Sequence, residues 1–254
     1  MRYYILNEVS TALKKKGTYT YIAGIVVLSL LANIAMVAFR TIYGMREGAF
    51  GSNLIYFAQW CFIIPYYSTI FIVEIIFGKE CPNPRIRNKV TIGLSRARLY
   101  FGKLISELCI SAIFLVAAIA CFIGITYIFM AADGSIELWV VQDFCRAALT
   151  AVPLWISGVA IGHGLLFFFP KKRYAFITFF ALVLVIPRII MFLAAEPLKI
   201  GACHWIKEYL LLTPRFNELP YYATLDMPKI IILSSIYSLS FIALGLWAYY
   251  KKEF

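Results

Sequence analysis

Six long stretches nearly empty of charge divide this chain, and they leave few folds open to it. Gly17–Phe39, Gly48–Val73, Leu108–Ala132, Ala147–Pro170 and Ile230–Tyr250 contain no Asp, Glu, Lys or Arg, and Tyr174–Ala195 contains only Arg188. Each is 21 to 26 residues long. A bilayer's hydrocarbon core, about 30 Å thick, is crossed by roughly 20 helical residues. Backbone amides in lipid must be satisfied within their own segment, and a helix does this. The expectation is an all-α polytopic membrane protein, with one domain over 1–254 and six transmembrane helices over about 19–39, 52–77, 104–130, 146–169, 174–195 and 229–250.

Charge supplies the orientation. The chain carries a net charge of +11, which in a soluble protein would raise the question of nucleic acid. Here the basic residues sit at the ends of the apolar stretches, where they set topology instead. With both termini cytoplasmic, sixteen Lys and Arg fall on the inner side and seven on the outer, where eight acids accompany them. The protein is therefore expected to be a multi-pass protein of the cell membrane, with no nucleic-acid partner. Its first span is too long for a signal-peptide core and is expected to act as an uncleaved anchor.

Three segments outside the spans carry pattern. In Met1–Lys16, Ile5, Val9 and Leu13 recur every four residues, which suits an N-terminal amphipathic helix on the inner leaflet, a frayed polar leader being the plainer reading. The loop 78–103 holds seven basic residues and one acid, Glu80. After Pro82 and Pro84, Arg85–Tyr100 reads as a short helix, a Gly93 interruption and a second helix opened by Ser95. Ile86, Val90 and Leu94 share one face. An apolar stripe with a basic back suits docking on a soluble partner or lying on lipid phosphates, and composition leaves both open. On the outer side, Trp205–Leu212 is too short to span yet too apolar for a solvated loop. A re-entrant or interfacial helix between spans five and six is expected, with Trp205, Tyr221 and Tyr222 at headgroup depth.

Catalytic patterns are missing: the sequence has no GxxxxGK[ST], HExxH, GxSxG or dinucleotide fingerprint. The chain is expected not to be an enzyme and to hold no metal. Of its six cysteines, Cys145 and Cys203 alone could meet outside. His163 reads as a packed helix residue. Arg188, behind Pro187, is a candidate for a polar pathway or a partner of Glu196; otherwise it snorkels. Glu74 and Glu107, inside the spans that flank the basic loop, are expected to pair with Lys79 or Lys103 rather than relay protons. Gly158-x-x-x-Gly162 permits close backbone approach within the bundle or between protomers.

Ile86-Arg87-Asn88-Lys89, Ile92-Gly93, Ser95-Arg96 and Tyr100 together resemble the cytoplasmic loop of type-2 ABC transporter permeases, especially small exporters of bacteriocins and peptide toxins such as phenol-soluble modulins. The motif covers about twenty residues, and the six-span plan with its outer helical segment resembles the family over the whole chain. Pro82-Asn83-Pro84 departs from the family, which usually has a Gly-containing turn there. The resemblance implies a coupling helix that docks on a separate ATPase subunit, with Arg85, Arg87, Asn88, Lys89, Gly93, Ser95, Arg96 and Arg98 at the contact. It also implies a second permease, identical or different, ATP and Mg bound by the partner rather than this chain, and export of an amphipathic peptide. The alternatives are a secondary transporter or channel working without an ATPase, and an ABC exporter of lipid or drug substrates.

Overall fold

The computed structural model describes residues 1–43, 50–77, 95–130, 136–195, 198–224 and 226–251. Every regular element among them is helical: α1 (Arg2–Leu13), α2 (Lys16–Ile42), α3 (Phe50–Trp60), α4 (Ile63–Phe77), α5 (Arg96–Met130), α6 (Leu138–Phe168), α7 (Lys172–Phe180), a π-helical turn (Ala181–Val185), α8 (Ile186–Ala194), α9 (Gly201–Tyr209), α10 (Thr213–Glu218), a 3-10 stretch (Leu219–Thr224) and α11 (Met227–Lys251). Five crossings are long and apolar enough for a bilayer: α2, α5, α6, α11 and the continuous run Lys172–Ala194. The second of the six expected spans, 52–77, is broken. α3 and α4 meet at an angle of 56° and make one crossing only if taken together.

The break has a local cause. Pro65 has no N–H to give the Cys61 carbonyl four residues earlier, and its ring crowds that carbonyl. The chain turns tightly instead, with Ile64 N–H bonding Cys61 O at 2.9 Å and Cys61 N–H bonding Ala58 O at 3.0 Å. The Phe62 carbonyl at the bend accepts the indole N–H of Trp155 from α6 at 3.0 Å. Buried Phe62 also packs edge-on to that indole, with centroids 5.6 Å apart.

α6 is the hub. In its apolar window 78% of residues are buried, against 11% for α2 and for α5. Small residues explain how neighbours reach it, since lipid supplies no hydrophobic drive between helices. A Cβ at Gly164 would overlap the Phe241 carbonyl of α11, and one at Gly245 would stand 2.7 Å from Gly164 Cα. Gly158 and Gly162 face Tyr66, Thr69, Ile70 and Val73 of α4. The Gly-x-x-x-Gly pattern thus serves contacts inside the chain.

Boundaries differ from the sequence reading at two helices. Ser95 does open a helix, its hydroxyl accepting the Arg98 N–H at 3.3 Å, but that helix runs on to Met130 as the 35 residues of α5. The acidic link over 136–143 is mostly the first turns of α6, which begins at Leu138. At about 1.5 Å per residue both helices outreach the bilayer core, so their charged ends stand clear of it.

α1 is helical as expected, and Ile5, Val9 and Leu13 are half-buried. Its most buried positions, however, are Glu8 and Ala12, because α1 lies against α5, with Tyr4 filling the space above Gly102.

The segment between α8 and α11 splits in two. α9 buries none of its residues, with Trp205 and Tyr209 both more than half exposed. From Leu211 to Phe216 the chain turns into the bundle and is buried, where Phe216 meets Tyr66 at 4.9 Å. Pro187 cannot donate to the Val183 carbonyl, and the Thr213 hydroxyl donates to it at 3.1 Å instead.

Candidate functional site

One end of the bundle gathers the basic residues that the sequence places around the loop 78–103. Lys15 Nζ donates to the Ile75 carbonyl at 2.5 Å, at the end of α4. Arg96 donates to the Tyr250 carbonyl of α11 at 3.2 Å. Lys172, opening α7, meets Glu74 of α4 at 3.3 Å. Glu74 meets Lys172 because α7 starts beside the end of α4; Lys79, one of the two partners expected for it, lies outside the described residues.

Beneath this basic end lies a polar node sealed from solvent. Glu107 Oε2 and His163 Nδ1 are 2.7 Å apart, and both side chains are fully buried. Lys103 and Glu8 are within electrostatic reach of Glu107, and Lys103 Nζ stands 5.0 Å from the centroid of the Phe77 ring. His163 is walled by Tyr100, Phe167 and Phe77, whose ring centroids lie 4.5, 4.9 and 6.0 Å away. The Tyr100 hydroxyl donates to the Ile242 carbonyl at 2.8 Å. Three of the crossings, α5, α6 and α11, are tied together here.

The pairing of Glu107 with His163 corrects the expectation of a lysine partner. Lys103 is near, but the imidazole makes the close contact. Their separation of 56 residues hides the pair from any local pattern. The available signal was a coincidence: one histidine and one acid, each isolated within a nearly uncharged span.

A second feature is an uncharged cleft between α5 and α6. It encloses about 670 Å³ and is lined by Leu108, Cys109, Leu115, Val152, Trp155 and neighbouring apolar side chains. Two adjoining spaces of about 340 and 250 Å³ extend it toward α2, α3 and α4, and Leu115 lines all three. The smallest carries hydroxyls, from Thr20, Tyr21, Ser68, Thr69 and Ser111, with Tyr21 and Ser68 hydrogen-bonded at 2.7 Å. No Asp, Glu, Lys or Arg lines any of the three. Such a wall accepts apolar surface and neutral hydrogen-bonding groups, and it penalises a bare charge.

No family model and no curated protein matches this chain. The functional reading therefore rests on the residues themselves.

The sequence-predicted contact residues divide. Arg85, Arg87, Asn88, Lys89 and Gly93 lie outside the described residues, as do Lys79, Cys81 and Glu196. Ser95 caps α5, Arg96 is partly buried and Arg98 is exposed. Arg188 is exposed on α8, with its charge beside the Tyr67 hydroxyl of α4. Cys145 and Cys203 are both free thiols. Among the described residues no three His, Cys, Asp or Glu side chains gather as a metal site.

Away from the spans, the end of the bundle where α10 meets the start of α11 has its own charge cluster. Arg215, buried, meets Glu218 at 2.5 Å and Glu208 at 3.7 Å, and Lys229 meets Glu208 at 2.6 Å. The hydrogen bond from Lys229 is the main force holding the Glu208 carboxyl below its usual range, helped by the charges of Lys229 and Arg215.

Proposed function

We propose that this chain is the membrane permease subunit of an ATP-driven exporter, and that it moves amphipathic peptides or similar hydrophobic cargo out of the cytoplasm. The observation that carries the reading is the run from Ile86 to Tyr100, with Arg87, Asn88, Lys89, Gly93, Ser95 and Arg96 in the order found in type-2 ABC permeases. Two structural features support it. The run feeds directly into α5, whose first turns are bonded to α6 and α11, so a push on the loop would be felt by three crossings. The cleft beside α5 is uncharged and mostly apolar, as a cargo with one greasy face requires. ATP and Mg would be bound by a separate subunit, and the basic loop would suit an acidic groove on it, governing association more than fold.

Expressed with its neighbouring open reading frames, the protein should copurify with an ATPase. Arg87→Glu with Arg98→Glu should lower ATPase activity of the assembled complex while membrane insertion stays intact. Arg98 suits this test better than Arg96, which also holds the Tyr250 carbonyl. Unchanged hydrolysis in the double variant would remove the loop from the transmission path, and flux through the purified chain without nucleotide would overturn the ATP-driven reading.

A further inference from the structure

We infer that the cleft between α5 and α6 is a binding site for one membrane phospholipid, with an acyl chain in the cleft and the phosphate against Arg98. The shape of the cleft sets the class of occupant. Its walls are residues 105–119 of α5 and 145–159 of α6, each about 21 Å long at the helical rise. Both helices are long and apolar enough to cross a bilayer. The space between them is about 670 Å³. A helix about 10 Å across and of that length needs roughly 1,600 Å³. No helix body, from a second copy or from a peptide, enters such a space. A hydrocarbon chain does, since one leaflet is about 15 Å deep and the cleft takes a chain of that reach lengthwise.

The chemistry of the walls narrows the choice further. No Asp, Glu, Lys or Arg lines the cleft, and the indole N–H of Trp155 is given to the Phe62 carbonyl. An extended peptide would bring backbone N–H and C=O groups that these walls leave unsatisfied, whereas a hydrocarbon chain brings none. The head of the lipid has its place on the same face of α5. Arg98, Ile105, Ala112 and Ile119 recur at heptad spacing, so they drift only about 20° per step around the helix. Arg98 is exposed and stands about 10 Å beyond Ile105, toward the basic end. A guanidinium there pairs with a phosphate through charge-assisted hydrogen bonds while the chain runs below it. One cation above a long uncharged slot matches the two halves of a phospholipid.

The inference does not rest on the exporter reading. In that setting, the apolar side chains of a peptide cargo would enter the cleft by displacing the lipid chain. The test uses the full chain without a partner subunit, so its failure and the failure of the exporter reading are separate results.

The probe is phosphatidylglycerol with a diazirine midway along one acyl chain, added to the protein in dodecyl maltoside and photolysed. Peptide mapping should find the label concentrated on residues 105–119 and 145–159, in excess over the exposed faces of α2 and α11. Ala112→Trp fills the cleft and should cut that label several-fold while the label on α2 and α11 stays the same. Leu149→Trp, from the facing wall, gives the same reading if the first variant does not fold. Arg98→Gln should lower the cleft label from phosphatidylglycerol several-fold but leave that from a diacylglycerol carrying the same chain. Label spread evenly over all exposed faces would overturn the site, as would an undiminished cleft label in the tryptophan variants. An Arg98→Gln variant labelled like wild type would overturn the phosphate contact and with it the phospholipid. A cleft closed by a second copy, seen as a dimer cross-linked through Cys109, would overturn the lipid as occupant.

Discussion

Glu208 is held by cations from two different elements, Lys229 at the start of α11 and Arg215 of α10. Its carboxyl is depressed in the folded protein, first by the Lys229 hydrogen bond. A depressed acid contributes stability above its unfolded titration range and loses it as pH falls through the folded value. The difference in thermal unfolding between wild type and Glu208→Gln should therefore be steady near neutrality and shrink below about pH 4. Because Glu208 is 42% exposed, water screens the pair, and the difference should stay within about 1 kcal/mol. A difference that grows in acid would refute this account. At the residue scale the sequence was only partly readable. It showed which charges lie near the ends of the apolar stretches. It did not show the partners of Glu74 and Glu107, because ion pairs between helices are set by packing, which sequence neighbours do not encode.

Two prolines shape the elements that carry them, and each deprives a carbonyl of its usual helical donor: at Pro65 the Ile64 N–H bonds the Cys61 oxygen instead. At Pro187 the work is done by Thr213, which ties the buried half of the segment between α8 and α11 to the π-helical turn. Thr213→Val should destabilise the folded protein in detergent by about 1 kcal/mol, the scale measured for polar contacts between membrane helices. Pro187→Ala restores a backbone N–H to that carbonyl, so in its background the cost of Thr213→Val should largely vanish. An additive pair in the double-mutant cycle would show that the hydroxyl contributes elsewhere. The elements themselves were mostly legible. Uncharged length located the apolar crossings, and Ser95 marked a real helix start. The bend between α3 and α4 was missed although Pro65 signalled it, because hydropathy averages over a break that charge does not mark. The run of the Ser95 helix straight into the third span and the early start of α6 were missed for the opposite reason, since charged residues such as Lys103, Glu137 and Asp143 read as breaks when the helix extends past the lipid.

At the scale of the whole molecule, the all-helical architecture follows from composition, while the cleft beside α5 does not. The cleft exists because α6 is drawn against α4 and α11 by its glycines and leaves α5 standing apart. Ala112 lines the cleft from an exposed position, so Ala112→Trp should fill it without disturbing the core. If the cleft carries cargo in the proposed exporter, peptide flux through the reconstituted complex should fall several-fold while basal ATP hydrolysis persists. Flux equal to wild type would move the cargo path elsewhere. The elbow in the second crossing has a mechanical corollary. Since the Trp155 side chain holds the Phe62 carbonyl at the bend, swinging Phe50–Trp60 about that hinge would strain its link to the central column. Motion of that arm is thereby geared to α6, and the tryptophan is the tooth.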